Sequence, residues 1–475
     1  MLDLQAQRRT KIVLTDYDYV RDIENRLFLS SLSKSDFEIL QEVLFSPVRF
    51  LLSSLAADLS LKEADVRWTL QKLETTGLLR IKGETVEVDK ELRKHFETEM
   101  LRFEDSHRIG LDFFFALLRK VPIHILPAWY AIPRSSNNIF DSMVERYFLT
   151  PQTFHRYLQE FYLSYPHLEP LVKDLYSSFQ LKISLQEIKR HYDLSLQALD
   201  EVLLILEFSF IATLRYENSG GEWKQILTPF DEWKEHLMFL RSTQPSPILE
   251  EEEVKELQPR EFAFVEDLSS LLELVKHKPI AVKESSIGCF LPTGKHSLLK
   301  KLGLSSEEKD SAEYVAQIIA KSRLLKFTEI RDGELFLSKQ AEEFLVMKNS
   351  DKALFLYRHP SNRLVVDNTL ELIPIDKIVR ETEKSLLRIL HAGWVPLEEV
   401  VKSVLIPIND EPAIGLKKIG KQWKYLRPEY TERQYTIIEL TLYQFLFEVG
   451  VVSIGSHNGL PCIKVTNFGA SIFAH

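Results

Sequence analysis

The stretch Ala312 to Leu345, AEYVAQIIAKSRLLKFTEIRDGELFLSKQAEEFL, constrains the fold most, because its apolar period changes partway along. Tyr314, Ile318, Ile319 and Leu325 recur at helical spacing, so one apolar stripe can dock on other helices. The period then drops to two. Phe327, Glu329 and Arg331 alternate with their neighbours, Asp332-Gly333 is a two-residue hairpin signal, and Leu335 and Leu337 resume the alternation before the chain returns to a helix. Helix, hairpin and helix in this order predict the second half of a winged helix, with the hairpin as its wing.

Variants of the pattern recur, which predicts a mainly α fold with small β-hairpin wings (α+β), built from tandem winged-helix domains. The first unit spans 1–107. It has an N-terminal arm or strand (IVLTDYDYV), an N-cap at Ser35-Asp36, three helices ending at Gly77, and two strands around Lys82-Gly83. Residues 108–165, rich in aromatics and punctuated by Pro122, Pro127, Pro133 and Pro151, read as a helical connector. A second unit covers 166–241, with its turn at Asn218 to Gly221. Residues 242–260 combine prolines with four consecutive glutamates, which repel one another, so they are expected to be an acidic linker and a site of proteolysis. The third unit spans 261–350. The fourth, 351–475, carries a wing around Asn458-Gly459 and a basic insertion between Ile406 and Tyr430.

A chain of 475 residues that is 45% hydrophobic can bury several cores. Its net charge of −9 argues against a uniformly basic coat for nucleic acid but leaves local patches open. Two cysteines, Cys289 and Cys462, without CxxC or histidine spacing, support neither a disulfide framework nor a zinc site, and point to a reducing compartment. MLDLQAQRRT lacks an apolar h-region, and the longest apolar stretches are short or broken by Asp112 and Glu207. A cytoplasmic protein without a membrane partner is expected.

Four phrases follow in order: KPIAVKESSIGCFLPTGKHSLLKKLGL, the Ala312 to Leu345 stretch, SLLRILHAGWVPLEEVV, and FLFEVGVVSIGSHNGLPCIKVTNFGASIF. Their order and hydrophobic pattern, over roughly 260–475, resemble bacterial helicase-associated proteins whose region is like the N-terminal part of the XPB-type excision-repair helicase. The resemblance implies winged helices associated with DNA transactions, with a helicase or another protein as partner. It carries over no catalytic motif.

Gly288 to Ser297, GCFLPTGKHS, imitates a phosphate-binding loop and fails as one. A loop of the form G-x-x-x-x-G-K-[ST] wraps phosphates with backbone N–H groups and reaches magnesium with its hydroxyl. Here five residues separate Gly288 from Gly294, His296 follows Lys295, and Pro292 removes a donor. With no HExxH, nucleophile elbow or paired carboxylates, and with His391 and His457 flanking turns singly, the expectation is a non-enzymatic protein without cofactor or metal.

Nucleic-acid binding is the reading the cations favour. A winged helix can place its third helix in the major groove, where exposed Arg, Lys, Asn or Gln read bases. In the first unit Lys62, Arg67, Gln71 and Lys72 are offset by Glu63, Asp65 and Glu74. In the second, Asp200, Glu201 and Glu207 make the corresponding helix acidic, which suits a protein contact or an internal packing face. The third offers Lys295, Lys300, Lys301, Lys321, Arg323 and Lys326. The densest patch is LKKIGKQWKYLRPEY, where Lys417, Lys418, Lys421, Lys424 and Arg427 surround Trp423 and Tyr425. Interleaved cations and aromatics suit a phosphate track with stacked bases. The expected function is a DNA-binding or helicase-accessory protein. The competing reading is an interaction scaffold whose winged helices bind proteins.

Overall fold

Helices with one apolar stripe, joined to short alternating strands, account for most of the chain. The computed structural model describes residues 28–29, 32–104, 107–119, 126–132, 138–219, 222–284, 290–292, 309–366, 371–406, 415–420 and 422–474. The described residues are 56% helix and 18% strand, the strands lying in small antiparallel sheets, which is the mainly α class expected. The N-terminal arm, and most of the segment GCFLPTGKHS with Lys295, Lys300 and Lys301, lie outside the described residues. Among the described residues no helix is long and apolar enough to cross a membrane.

The chain divides into two compact units, Met1–Phe239 with Ile414–Leu426, and Leu240–Ala413 with Arg427–His475. Each holds one large apolar core. Within each unit one strand arrangement occurs twice: the return strand of a hairpin lies between its outgoing strand and a short strand from earlier in the chain. Thr85–Val88 lies between Leu79–Lys82 and Arg49–Leu51, and Glu222–Thr228 between Thr213–Ser219 and Ile183–Ser184. In the second unit Glu334–Leu337 lies between Thr328–Arg331 and Ile280–Glu284, and Leu460–Val465 between Val452–His457 and Val395–Pro396. A helix precedes every one of these hairpins: Glu63–Thr75, Leu196–Phe208, Lys309–Leu324, and Glu432–Thr441 continuing through Leu442–Phe447.

The turn from helix to hairpin uses one device four times, a residue at positive φ followed by a fully buried one. Gly77, Phe210, Lys326 and Gly450 have φ of 80°, 56°, 58° and 80°. Leu78, Ile211, Phe327 and Val451, each 0% exposed, plug the core immediately after them. In three cases the plug's N–H caps the carbonyl five residues back, Ile211 to Leu206 at 2.9 Å, Phe327 to Ser322 at 2.8 Å and Val451 to Leu446 at 2.9 Å, which closes the helix in a Schellman pattern. At the hairpin tips, Asp332-Gly333 (φ 48° and 80°) and Asn458-Gly459 (φ 51° and 81°) take the conformation that a two-residue turn demands. The helix Lys34–Phe45 is capped by Ser33, two residues before the expected Ser35. Asp36 supplies the reciprocal half of the capping box.

The aromatic segment 108–165 is part of the first unit's core, through Phe114, Phe115, Phe148 and Phe154. Phe103 stacks on Tyr216 with ring centroids 4.1 Å apart. Beneath this layer Arg102 is 1% exposed between Glu99 and Glu207, and also donates to the Leu214 carbonyl (2.9 Å). Glu207, expected on an acidic outer face, is therefore a buried counter-ion, because it alone of that helix's acids faces the arginine across the core.

Residues 242–260, expected as a linker, form a strap within the second unit. Lys255–Glu256 adds a strand to Val452–His457, and the Ile248 and Leu257 N–H groups donate to the Trp394 and Ile454 carbonyls (2.7 and 2.8 Å). The Ser246 N–H meets Glu399 (2.6 Å), and Arg388 reaches the Leu240 carbonyl (2.6 Å). The four glutamates, Glu250 to Glu253, stay exposed, so their repulsion is relieved by solvent while the backbone is held.

Candidate nucleic-acid interface

The LKKIGKQWKY segment forms a two-stranded ribbon, Leu416–Ile419 paired with Gln422–Tyr425. Although it lies in sequence between elements of the second unit, it belongs to the first. Alternation gives the ribbon two faces. Leu416, Lys418, Trp423 and Tyr425 share one, and Lys417, Ile419, Gln422 and Lys424 the other.

The first face is turned to protein. Leu416 is 4% exposed and joins the first unit's core, with Trp423 and Tyr425 packed against it. The Leu416 N–H donates to the Leu149 carbonyl (2.8 Å), and the Tyr425 hydroxyl donates to the Phe148 carbonyl (2.9 Å). Burial pushes the Tyr425 phenol well above its usual range, so the ring stays a neutral donor. Lys418 lies 3.4 Å from Asp112 and 5.6 Å from the Trp423 ring centroid. The two aromatics expected to stack on bases are thus the ribbon's anchor. Their alternation with the cations turns them inward.

The second face points away from this core. Register sets Lys417 directly opposite Lys424, and among the described residues neither has an ion pair. Like charges facing one another across strands are destabilising. Ile419, 55% exposed, and the exposed Gln422 complete the face. Lys421, at the tip, lies outside the described residues. Arg427 is exposed but belongs to the second unit.

The helices preceding the hairpins differ in what they leave open. Leu196–Phe208 has no exposed residue among those described from Ala198 onward, and Asp200 and Glu201 are half-buried. Lys309–Leu324 packs on the helical turn Leu442–Phe447 and its next residue: Lys321, 7% exposed, meets Glu448 at 3.0 Å and the Gln444 carbonyl at 2.8 Å, while Gln317 donates to Glu448 at 2.6 Å. Lys321, read from sequence as part of a basic surface, is a core ion-pair member. Burial pushes the Glu448 carboxyl up despite that pairing. Arg323 and Lys326 are exposed.

Glu63–Thr75 turns a broad face outward, where Arg67 and Lys72 are engaged. Arg67 pairs with Glu84 of the following hairpin (2.5 Å) and Lys72 with Asp36 (3.0 Å). Lys82 of that hairpin and Arg49 of the neighbouring strand both pair with Glu87 (2.7 and 2.8 Å). On the ribbon, by contrast, Lys417 and Lys424 have no ion pair among the described residues. Among the described residues no group of His, Cys, Asp and Glu could hold a metal ion. No family model, curated protein or solved structure matches the chain.

Proposed function

We propose that this chain is a non-enzymatic DNA-binding or helicase-accessory protein made of four tandem winged helices, which contacts nucleic acid through the ribbon 416–425. The recurrent strand order, with a helix before each hairpin, supports the winged-helix reading. One observation carries the nucleic-acid reading: Lys417 and Lys424 face each other on the outward side without a carboxylate partner among the described residues. An anion between them relieves their repulsion, and a phosphate backbone supplies such anions at regular spacing. Because Trp423 and Tyr425 hold the ribbon from beneath, the contact is to backbone charge and is insensitive to base sequence.

Fluorescence anisotropy with a duplex and a single strand, across a salt series, tests this reading. The intact chain should bind with affinity falling as salt rises. Lys417→Gln with Lys424→Gln should flatten the log–log slope by about 1.4–1.8, the counterions of two phosphate contacts. Absence of salt-sensitive binding at ~50 mM salt, where such contacts are strongest, would refute it.

A further inference from the structure

The ribbon's hold on the first unit is assembled on one face. Leu416, Trp423 and Tyr425 pack there, and the Leu416 N–H and the Tyr425 hydroxyl donate to the carbonyls of Leu149 and Phe148 (2.8 and 2.9 Å). The Tyr425 ring lies beside His236 and Trp233 of the helix Asp231–Ser242, with centroids 5.4 and 6.2 Å away. At the margins Lys418 reaches Asp112, and Arg108 donates to Gln422, both at 3.4 Å. The chain on either side, up to Ala413 and from Arg427, belongs to the second unit, so the ribbon's place in the first depends on this docked face.

Other features of the ribbon work against the dock. Its two strands form a sheet of their own among the described residues, and such a pair is marginally stable by itself. The Trp423 indole N–H is buried without an acceptor among the described residues, a cost that a solvated indole does not carry. On the outward face the register opposes Lys417 to Lys424, and like charges in that position weaken strand pairing. The lysine pair exists only while the strands are in register, and the strands need the dock to stay so. An anion that bridges the two lysines therefore selects the docked ribbon, and whatever binds one state alone shifts the equilibrium towards it.

We infer that the ribbon is a phosphate-responsive clasp: an anion held on its outward face by Lys417 and Lys424 tightens the docking of its inward face on Phe148, Leu149 and the helix Asp231–Ser242. This device rests on the nucleic-acid reading of the ribbon and gives it a consequence. Occupancy outside is transmitted to the core of the first unit.

Hydrogen exchange of the full chain, followed in peptides covering 414–426, tests the clasp with a DNA duplex and inorganic tripolyphosphate as probes. At about ten times its Kd, either probe should slow exchange there about tenfold. Lys417→Gln with Lys424→Gln should slow it about two- to fivefold without any probe, because the repulsion is gone, and should remove the probes' effect. Tyr425→Phe, which loses the bond to Phe148, should speed exchange there about two- to tenfold and leave the helix Glu63–Thr75 unchanged. Duplex binding that depends on both lysines but leaves exchange of 414–426 unaltered would overturn the clasp and leave the nucleic-acid reading standing. Slowing by tripolyphosphate without duplex binding would do the reverse. The clasp also falls if neither probe slows exchange, or if the lysine variant exchanges as fast as the intact chain. Unchanged exchange in Tyr425→Phe would overturn it too, by showing that these amides open without undocking.

Discussion

Glu232→Gln is the substitution whose effect the structure sets most sharply. Glu232 is 6% exposed, and its two carboxylate oxygens accept the Leu111 N–H at 3.0 and 3.1 Å, at the start of the helix Leu111–Leu118. The fit depends on Gly110, since a Cβ there would collide with the carboxylate. Burial pushes the Glu232 carboxyl from 4.5 up to about 8, against the pull of its backbone hydrogen bonds and of Arg108. That difference corresponds to about 5 kcal/mol of folded-state preference for the protonated form. The folded value is raised, so the stabilisation is complete below pH 4.5 and is lost as pH rises towards 8. Between pH 5 and 8 the intact chain should lose ~3–4 kcal/mol from this group alone. Glu232→Gln keeps the acceptor for Leu111 without the charge, and its pH profile should be flatter by that amount. Urea denaturation at successive pH values, read by hydrogen exchange of peptides covering Leu111–Leu118, measures the difference. Parallel profiles would refute the reasoning. So would an intact chain that gains on the variant as pH rises, which would mean that the N–H donors and Arg108 outweigh burial.

Two further substitutions follow from buried charges. Arg102→Ala should destabilise the first unit by about 3–5 kcal/mol in thermal or urea melts, because it leaves Glu99 and Glu207, each 1% exposed, without their cation. Replacing all three by apolar residues of similar volume should restore most of that loss. At Asp36, burial opposes the charge, but hydrogen bonds from Thr69, Ser33 and Lys72 outweigh it and hold the carboxyl below 3.8. Its contribution is present above that pH and disappears as pH falls through the lowered value. Asp36→Asn should cost about 1.5–3 kcal/mol at neutral pH, with the gap to the intact chain closing on acidification, in the same melts.

Local chemistry was legible wherever the backbone conformation depends on neighbouring residues. Asp332-Gly333 and Asn458-Gly459 announce their turns because their residues tolerate positive φ, and Gly77 and Gly450 mark helix ends for the same reason. Phe210 and Lys326 occupy the equivalent positions without that signal. They are held at positive φ by the burial of the residue after each, a force no local composition reveals.

Placement was decided by tertiary structure. Alternation along LKKIGKQWKY establishes two faces, one with Lys417 and Lys424 and one with Trp423 and Tyr425, but an isolated ribbon does not specify which is turned to protein. The first unit's core takes the aromatic face because burying Leu416, Trp423 and Tyr425 removes far more apolar area from water than burying lysine stems would. Glutamate repulsion made 242–260 look free, yet backbone pairing with Val452–His457 holds it while its side chains remain in water. Lys321 and Glu207 carry the charge of surface residues and become core members, because each meets an opposite charge contributed by a helix more than a hundred residues away. Periodicity is a property of single elements and is written in the sequence. Which stripe, strand edge or charge finds a partner depends on contacts between distant elements, and those exist only once the chain has folded.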